Sequence, residues 1–309
     1  MPGDRRTPPE RRHPMWREHR LQRDDHALAW FTFGDPVPGR PPLVMLNGGP
    51  GDDHRYLRPV AERLAAGRAC VLYDQRGCGA SRLDRLDGAS LHVDRFVADL
   101  DALRAALGVD RIDLFGHSWG AILALLYTLA HPGAVARQVL VGMGPLSPAL
   151  AEVAAANLHQ PLSAAERAAL LELRAARKAA VAAGDRARHA ELHIRQMRDF
   201  AVRAWFWDPA AGARFADAFA AGYGFNPLVT PHVWPTVQAI DILGRAEGLA
   251  VPTLAVYGAQ DFEPAAQAYL LRERMPHAEA CLINRCGHVP WLEQPEAFYG
   301  AVEGFLAGA

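Results

Sequence analysis

Ser118 stands at the centre of Gly116-His117-Ser118-Trp119-Gly120, a G-x-S-x-G pentapeptide. The apolar run Ile112-Asp113-Leu114-Phe115 precedes it and the helical run Ala121-Ile122-Leu123-Ala124-Leu125-Leu126-Tyr127 follows it. A serine between a strand and a helix sits on a sharp turn that lifts its hydroxyl clear of the sheet, and the two flanking glycines leave room for that turn. The helix that follows aims its positive N-terminal end at the hydroxyl. The chemistry such a serine serves is acyl transfer, which also requires a base for the hydroxyl and an acid to orient the base. Taken alone, the pentapeptide is equally a plain Gly/Ser turn. The strand before it and the helix after it set it apart.

The acid and base are expected after later strands, because ligands in open α/β sheets sit outside the carboxyl ends of the strands. Asp261 follows Leu254-Ala255-Val256-Tyr257-Gly258-Ala259-Gln260, and His288 follows Cys281-Leu282-Ile283-Asn284-Arg285-Cys286-Gly287. The chain order serine, aspartate, histidine fits this architecture. His288 would then take the proton from Ser118 and return it to the leaving group, while Asp261 holds the imidazole in one tautomer. Competing readings are that Asp261 only caps a helix, with Glu263 a rival carboxylate, and that His288 is a loop histidine. The chain has 13 histidines, so position has to decide. His117 is expected to point away from the site, because successive side chains diverge at a tight turn. His189 and His193, one helical turn apart, lack an evident third ligand, and their helix reads as solvated. One oxyanion donor is the Trp119 N–H. The glycine-dense loop Asn47-Gly48-Gly49-Pro50-Gly51 is placed to give the second, or is simply a turn.

These groups need a scaffold. The chain has 309 residues, half of them hydrophobic, with a net charge of -1. That composition supports a sizeable core and gives no electrostatic reason to expect nucleic acid or an anionic membrane as partner. Lys178 is the single lysine among 33 basic residues, which reads as composition bias rather than phosphate recognition. Cys70, Cys78, Cys281 and Cys286 form no C-x-x-C pair, and reduced thiols in a cytoplasmic protein are expected. No stretch is both long and uncharged enough to span a bilayer. No dinucleotide or P-loop fingerprint stands out, so neither cofactor nor metal is expected.

Strands are expected at 27–33, 43–46, 69–73, 111–115, 138–142, 253–257 and 280–283, and a helix at 93–107 that Gly108 ends. This alternation implies an α/β class protein with a mostly parallel sheet and helices on both faces. The pattern breaks after Gly144. From there to Gly248 the chain is alanine-rich and helical, and Ser163-Ala164-Ala165-Glu166 is a capping box. The expected organisation is a flexible tail over 1–25, a core over 26–144 and 249–309, and an inserted helical cap, or lid, over 145–248. The cap ends in Trp205, Phe206, Trp207, Phe215, Phe219, Tyr223, Phe225 and Trp234, most of them expected to be its own core.

Three segments, Asn47-Gly48-Gly49-Pro50-Gly51, Asp74-Gln75-Arg76-Gly77-Cys78-Gly79-Ala80-Ser81 and the Ser118 pentapeptide, together resemble the prolyl iminopeptidase family of α/β-hydrolases. Cys286-Gly287-His288-Val289-Pro290-Trp291-Leu292-Glu293-Gln294-Pro295-Glu296 looks like that family's histidine loop. The resemblance covers residues 26–144 and 250–307. It implies the α/β-hydrolase fold and a metal-free serine aminopeptidase that removes an N-terminal residue, often proline. It further implies Ser118, Asp261 and His288 as the triad, with Gly49 and Trp119 donating to the oxyanion. The chain departs from the family where Asn47 replaces the usual histidine of the glycine loop. Trp205-Phe206-Trp207-Asp208 also offers a shorter acid, Asp208, where a lid glutamate usually binds the substrate amine. No second glutamate is evident near 219–226. Asp208, Asn47 and Trp205 are the candidate substrate contacts. Asp74 and Arg76 read as a salt-bridged turn that supports the glycine loop.

The first reading is therefore an aminopeptidase acting on a small molecule or short peptide. A carboxylic-ester, amide or lactone hydrolase with the same triad and no amine site is the alternative. A non-enzymatic binding protein on the same fold is the third. Epoxide and dehalogenase chemistry would place a carboxylate at position 118.

Overall fold

The computed structural model describes residues 15–222 and 224–308. Residues 1–14 of the expected tail, and Tyr223 of the aromatic group, lie outside the described residues. The strands are β1 (Arg17–Gln22), β2 (Ala27–Phe33), β3 (Leu43–Leu46), β4 (Cys70–Tyr73), β5 (Ile112–His117), β6 (Val135–Val141), β7 (Thr253–Gly258) and β8 (Ala278–Ile283). They form one eight-stranded sheet in the order β1-β2-β4-β3-β5-β6-β7-β8. β1 and β2 run antiparallel to their neighbours, and all other pairs are parallel.

Each expected strand has its counterpart, and the expectation of a tail to residue 25 is corrected by β1. Arg17 to Gln22 pairs with Thr32 to Ala27. Its sequence, Arg-Glu-His-Arg-Leu-Gln, carries no apolar face, and no residue of the strand is fully buried. It is an outer strand held by ladder hydrogen bonds rather than by burial, and charged side chains are what an exposed edge needs. The inner strands show the opposite logic. β3, β4, β5 and β7 are buried at every residue, as strands covered on both faces must be.

The helices, in chain order, are α1 (Arg58–Leu64), α2 (Val93–Ala106), α3 (Trp119–Ala130), α4 (Pro148–His159), α5 (Ala164–Ala182), α6 (Arg186–Gln196), α7 (Val202–Trp205), α8 (Pro209–Gly222), α9 (Thr230–Gln238), α10 (Ile242–Arg245), α11 (Ala266–Arg274), α12 (Pro290–Glu293) and α13 (Pro295–Ala307). Two cores flank the sheet because successive strand residues face opposite ways. Val44 and Leu46 face Phe96 of α2 and Leu123 of α3, whereas Leu43 and Met45 face Val60 of α1 and Phe298 of α13. α2 buries the helical stripe Val93, Phe96, Leu100 and Leu103. The sheet order places β3 and β5 side by side with their following helices on opposite faces. That is the switch point where a crevice opens beyond the strand ends.

Among the described residues between β6 and β7 the regular structure is helical, apart from a single bridge from Phe225 to Asp52. Ser163 and Glu166 close the capping box at the start of α5. Leu162, Leu170, Leu173, Leu192 and Phe200 make a small core of their own within this segment.

Candidate active site

β5 ends at His117 and α3 begins at Trp119, so Ser118 is the whole of the turn between them. Its φ of 57° and ψ of -122° lie where a side chain is strained. The turn exists because the neighbours are glycines. A Cβ on Gly116 would run into the Gly120 carbonyl, and one on Gly120 into the Leu46 carbonyl of β3. Neither the Trp119 nor the Gly49 N–H has a hydrogen-bond partner among the described residues, and both residues line one cavity with Ser118. Gly49, at φ of 114°, adopts a conformation that L side chains rarely reach.

His288 Nδ1 lies 2.9 Å from Asp261 Oδ1 and 3.0 Å from Oδ2. Both side chains are almost fully shielded from water. Asp261 also accepts the Glu263 N–H at 3.0 Å, so it caps the turn that follows as well as facing the histidine. The pair leaves no space on its inner side. A Cβ on Gly142, whose φ is 49°, would sit 2.9 Å from His288 Nδ1 and 3.0 Å from Asp261 Oδ2. The His288 ring is packed by Phe262, Trp205 and His117, at 4.7, 5.3 and 4.7 Å between centroids. The Ser118 hydroxyl and the His288 ring make no mutual hydrogen bond here, yet both line the same cavity of about 730 Å³. That volume is in the range of small-molecule sites.

His117 does not leave the site, contrary to expectation. Gly48 N–H donates to the Tyr56 hydroxyl at 2.6 Å, and that hydroxyl meets His117 Nδ1 at 2.9 Å. His117 Nε2 meets the His288 carbonyl at 2.9 Å. A carbonyl only accepts, so Nε2 carries the proton and Nδ1 receives the Tyr56 O–H. Burial, with His288 beside it, pushes the His117 pKa well below its ordinary value and keeps the ring neutral. Tyr56 carries no motif, and its partner His117 is 61 residues away in sequence. Nothing local to it points to this role.

The candidate substrate contacts separate. Trp205 lines the cavity, and its carbonyl accepts the His288 N–H at 2.6 Å. Asn47 is buried beneath the loop, where its Nδ2 donates to the Asp52 carbonyl and its own carbonyl accepts from Gln75. It is not part of the cavity wall. Asp208 is also outside the wall. Its carboxylate accepts the Ala210 N–H at 2.9 Å and so caps α8, which is the usual work of an aspartate just before a proline-led helix. Its own N–H is held by Glu293 Oε1 at 2.8 Å, while Glu293 Oε2 holds the Gly287 N–H at 2.7 Å, tying the histidine loop to α8.

The carboxyls that do line the cavity are Glu263 and Asp52. Burial, then the neighbouring Asp261, pushes Glu263 well above the usual carboxylate range, and its Oε2 is buried without a partner. Burial, then Asp53, raises Asp52 to about 7. Asp74 does not pair with Arg76. It accepts from His54 Nδ1 at 2.7 Å and from the Ala80 N–H at 2.8 Å, while Arg76 pairs with Asp99 at 2.8 Å.

The helix carrying His189 and His193 is not solvated on that face. Both rings line the cavity and stack on Phe225, at 6.4 and 4.1 Å. Burial, then Arg177 and His189, pushes His193 down to about 3. Of the aromatic group, Phe206 and Phe219 are core, Trp207 is exposed, and Trp205, Phe215, Phe225 and Trp234 line the cavity. No group of three His, Cys, Asp or Glu side chains is set to hold a metal among the described residues. No helix among them is long and apolar enough to cross a membrane.

A family model described as alpha/beta hydrolase fold matches residues 41–295. A proline iminopeptidase of Levilactobacillus brevis is 29% identical over 91% of this chain and 93% of its own length. A solved structure of proline iminopeptidase from Mycobacterium smegmatis superposes with a TM-score of 0.69 at 24% identity, covering 94% of this chain and 98% of that one. A proline iminopeptidase-related protein from Thermus thermophilus gives a TM-score of 0.73 at 22% identity, covering 95% and 98%.

Proposed function

This chain belongs to the alpha/beta hydrolase fold family, and from that premise we propose that it is an aminopeptidase that releases an N-terminal residue such as proline through Ser118, His288 and Asp261. The observation that carries the reading is the shielded Asp261–His288 pair opening onto the same cavity as a serine held in a strained turn. Similarity to proline iminopeptidases over nine-tenths of the chain supports the substrate class.

In this reading the Ser118 hydroxyl attacks the scissile carbonyl while His288 Nε2 takes its proton. Asp261 holds Nδ1–H and favours the imidazolium that forms. The oxyanion settles between the Gly49 and Trp119 N–H groups, which are unspent in the resting protein. His288 then protonates the leaving amine. A water, deprotonated by the same nitrogen, releases the acyl group and frees the serine.

The substrate's free amine needs a carboxylate in a dry cavity. Asp208 is turned to its helix, so the amine would meet Glu263, two residues beyond Asp261. A neutral Glu263 would pass its proton to the incoming unprotonated amine, leaving an ammonium–carboxylate pair. The alternative, an ester, amide or lactone hydrolase without an amine site, is favoured by the position of Asp208 alone. Rates on the 4-nitroanilides of free proline, free alanine and N-blocked proline, beside a 4-nitrophenyl ester, decide between them. Loss of activity on blocking the amine supports the aminopeptidase. Ester cleavage alone, abolished in Ser118→Ala, supports the alternative, and turnover that survives Ser118→Ala overturns both.

A further inference from the structure

The cavity that holds Ser118 has a second charged feature that the proposed reaction does not use. α5 lines it with Arg174 and, one helical turn further on, Arg177 and Lys178. None of the three has a carboxylate within ion-pair distance among the described residues. A solvated helix face would need no counter-ion, but Arg177 is half-buried, and the cavity wall there sets uncharged His189, His193 and Gln196 among Val181, Met197, Phe200 and Phe225, with no carboxylate. A guanidinium held in such surroundings without an anion is costly to keep. Elsewhere the protein meets that cost: buried Arg68 pairs with Asp113 and buried Arg76 with Asp99.

The local bonds hold Arg177 in place and leave part of it unspent. Nη1 donates to Gln196 Oε1 at 2.6 Å, and Nη2 lies 3.2 Å from His189 Nε2. Burial, then Arg177 itself, lowers the His189 pKa, so that nitrogen can accept. Nε is buried with no acceptor. Each terminal nitrogen carries two hydrogens, so one N–H remains on each, a pair matched to the two oxygens of a carboxylate. Arg174, whose Nη1 faces His159 Nε2 at 3.2 Å, adds positive field beside it.

We propose that Arg177, supported by Arg174, is a subsite for a carboxylate that the substrate carries away from the bond Ser118 cleaves. On the proposed aminopeptidase reading, this is the free C-terminal carboxylate of a short peptide, with the free amine at Glu263. The subsite itself rests on Arg177 and the cavity around it, not on which bond is cleaved there. The substrate class is then a short acyl compound or peptide with an anionic end, and long or C-terminally capped chains are disfavoured.

The test compares mono-4-nitrophenyl suberate with 4-nitrophenyl octanoate, esters of equal chain length that differ in the terminal carboxylate. The acid is expected to have the higher kcat/KM by about tenfold to a hundredfold, the worth of a charge-assisted pair. Arg177→Gln is expected to bring the ratio near unity, and the exposed Arg174→Gln to lower it partway. A wild-type ratio of one overturns the proposal, as does a ratio that survives Arg177→Gln, or a higher rate for an ester ending in phosphate. Calorimetric titration of suberate into Ser118→Ala protein, with and without Arg177→Gln, reads the subsite without turnover. Binding that is lost with Arg177 supports it even if no ester is cleaved, in which case only the hydrolase reading fails. No binding to protein that retains Arg177 overturns it.

Discussion

His117 Nε2 donates to the backbone carbonyl of His288 at 2.9 Å, so the residue beside Ser118 holds the proposed base by its main chain while Asp261 holds its ring. Through Tyr56 the same histidine reaches the Gly48 N–H, next to Gly49, the proposed oxyanion donor. One chain of three hydrogen bonds thereby links the glycine loop, the end of β5 and the histidine loop. Register among these loops is a matter of fractions of an ångström, and that is where acyl transfer is sensitive.

His117→Phe keeps a ring in place and removes both bonds. It leaves the His288 carbonyl without its His117 donor in a buried space and takes away the acceptor of the Tyr56 O–H, at a cost of about 1–3 kcal/mol. The expected result is a drop in unfolding free energy of that order by urea titration, with kcat falling more than KM rises. An unchanged kcat with lowered stability would make His117 a packing residue only.

Gly142→Ala tests the pocket behind the pair. The new Cβ would press on His288 Nδ1 and Asp261 Oδ2, and φ of 49° adds backbone strain. A displacement of the pair by up to about 1 Å is expected to cost about a hundredfold in kcat/KM. Near-native circular dichroism must accompany the loss, and full activity in a folded variant would mean that the Asp261–His288 contact is not used.

Glu263→Gln and Asp208→Ala separate an amine anchor from a helix cap. With Gln at 263, KM is expected to rise for the free-amine prolyl anilide and to change little for an ester without an amine. Asp208→Ala should cost about 1 kcal/mol of stability through the lost α8 cap and leave the ratio of the two substrates as it was. The reverse pattern would return the amine to Asp208.

Much of this architecture could be read in the chain. Leu43–Leu46, Cys70–Tyr73 and Thr253–Gly258 are short apolar runs because both of their faces are covered. β1 was hidden because an exposed strand has no apolar period to show, only a partner ladder. Asp261 and His288 could be named because a strand precedes each, and the structure brings them into contact. Asp208 stands in a tryptophan-rich run that resembles a family motif, while its carboxylate accepts from the next helix two residues on, a bond that the run itself does not reveal. The helix of His189 and His193 looked solvated because its partner, Phe225, lies far along the chain. Contacts such as His117 to His288, 171 residues apart, leave no local trace at all.

Asp52 gives the pH dependence a sign. Its pKa is about 7 in the folded protein against 3.8 for the free side chain, because burial, and Asp53 beside it, penalise the charge. Below pH 3.8 both states hold the proton. Between there and about 7 the unfolded chain releases it while the folded protein keeps it, so stability falls as pH rises through that window and levels off above it. Asp52→Asn has no proton to keep. Its unfolding free energy minus that of the native sequence is therefore expected to climb from pH 4 to about pH 7 and then stay constant. Paired urea titrations across pH 4–8 read this difference directly, with the background of all other titrating groups cancelled. A difference independent of pH would mean that Asp52 ionises normally and that the cavity is wet at that end.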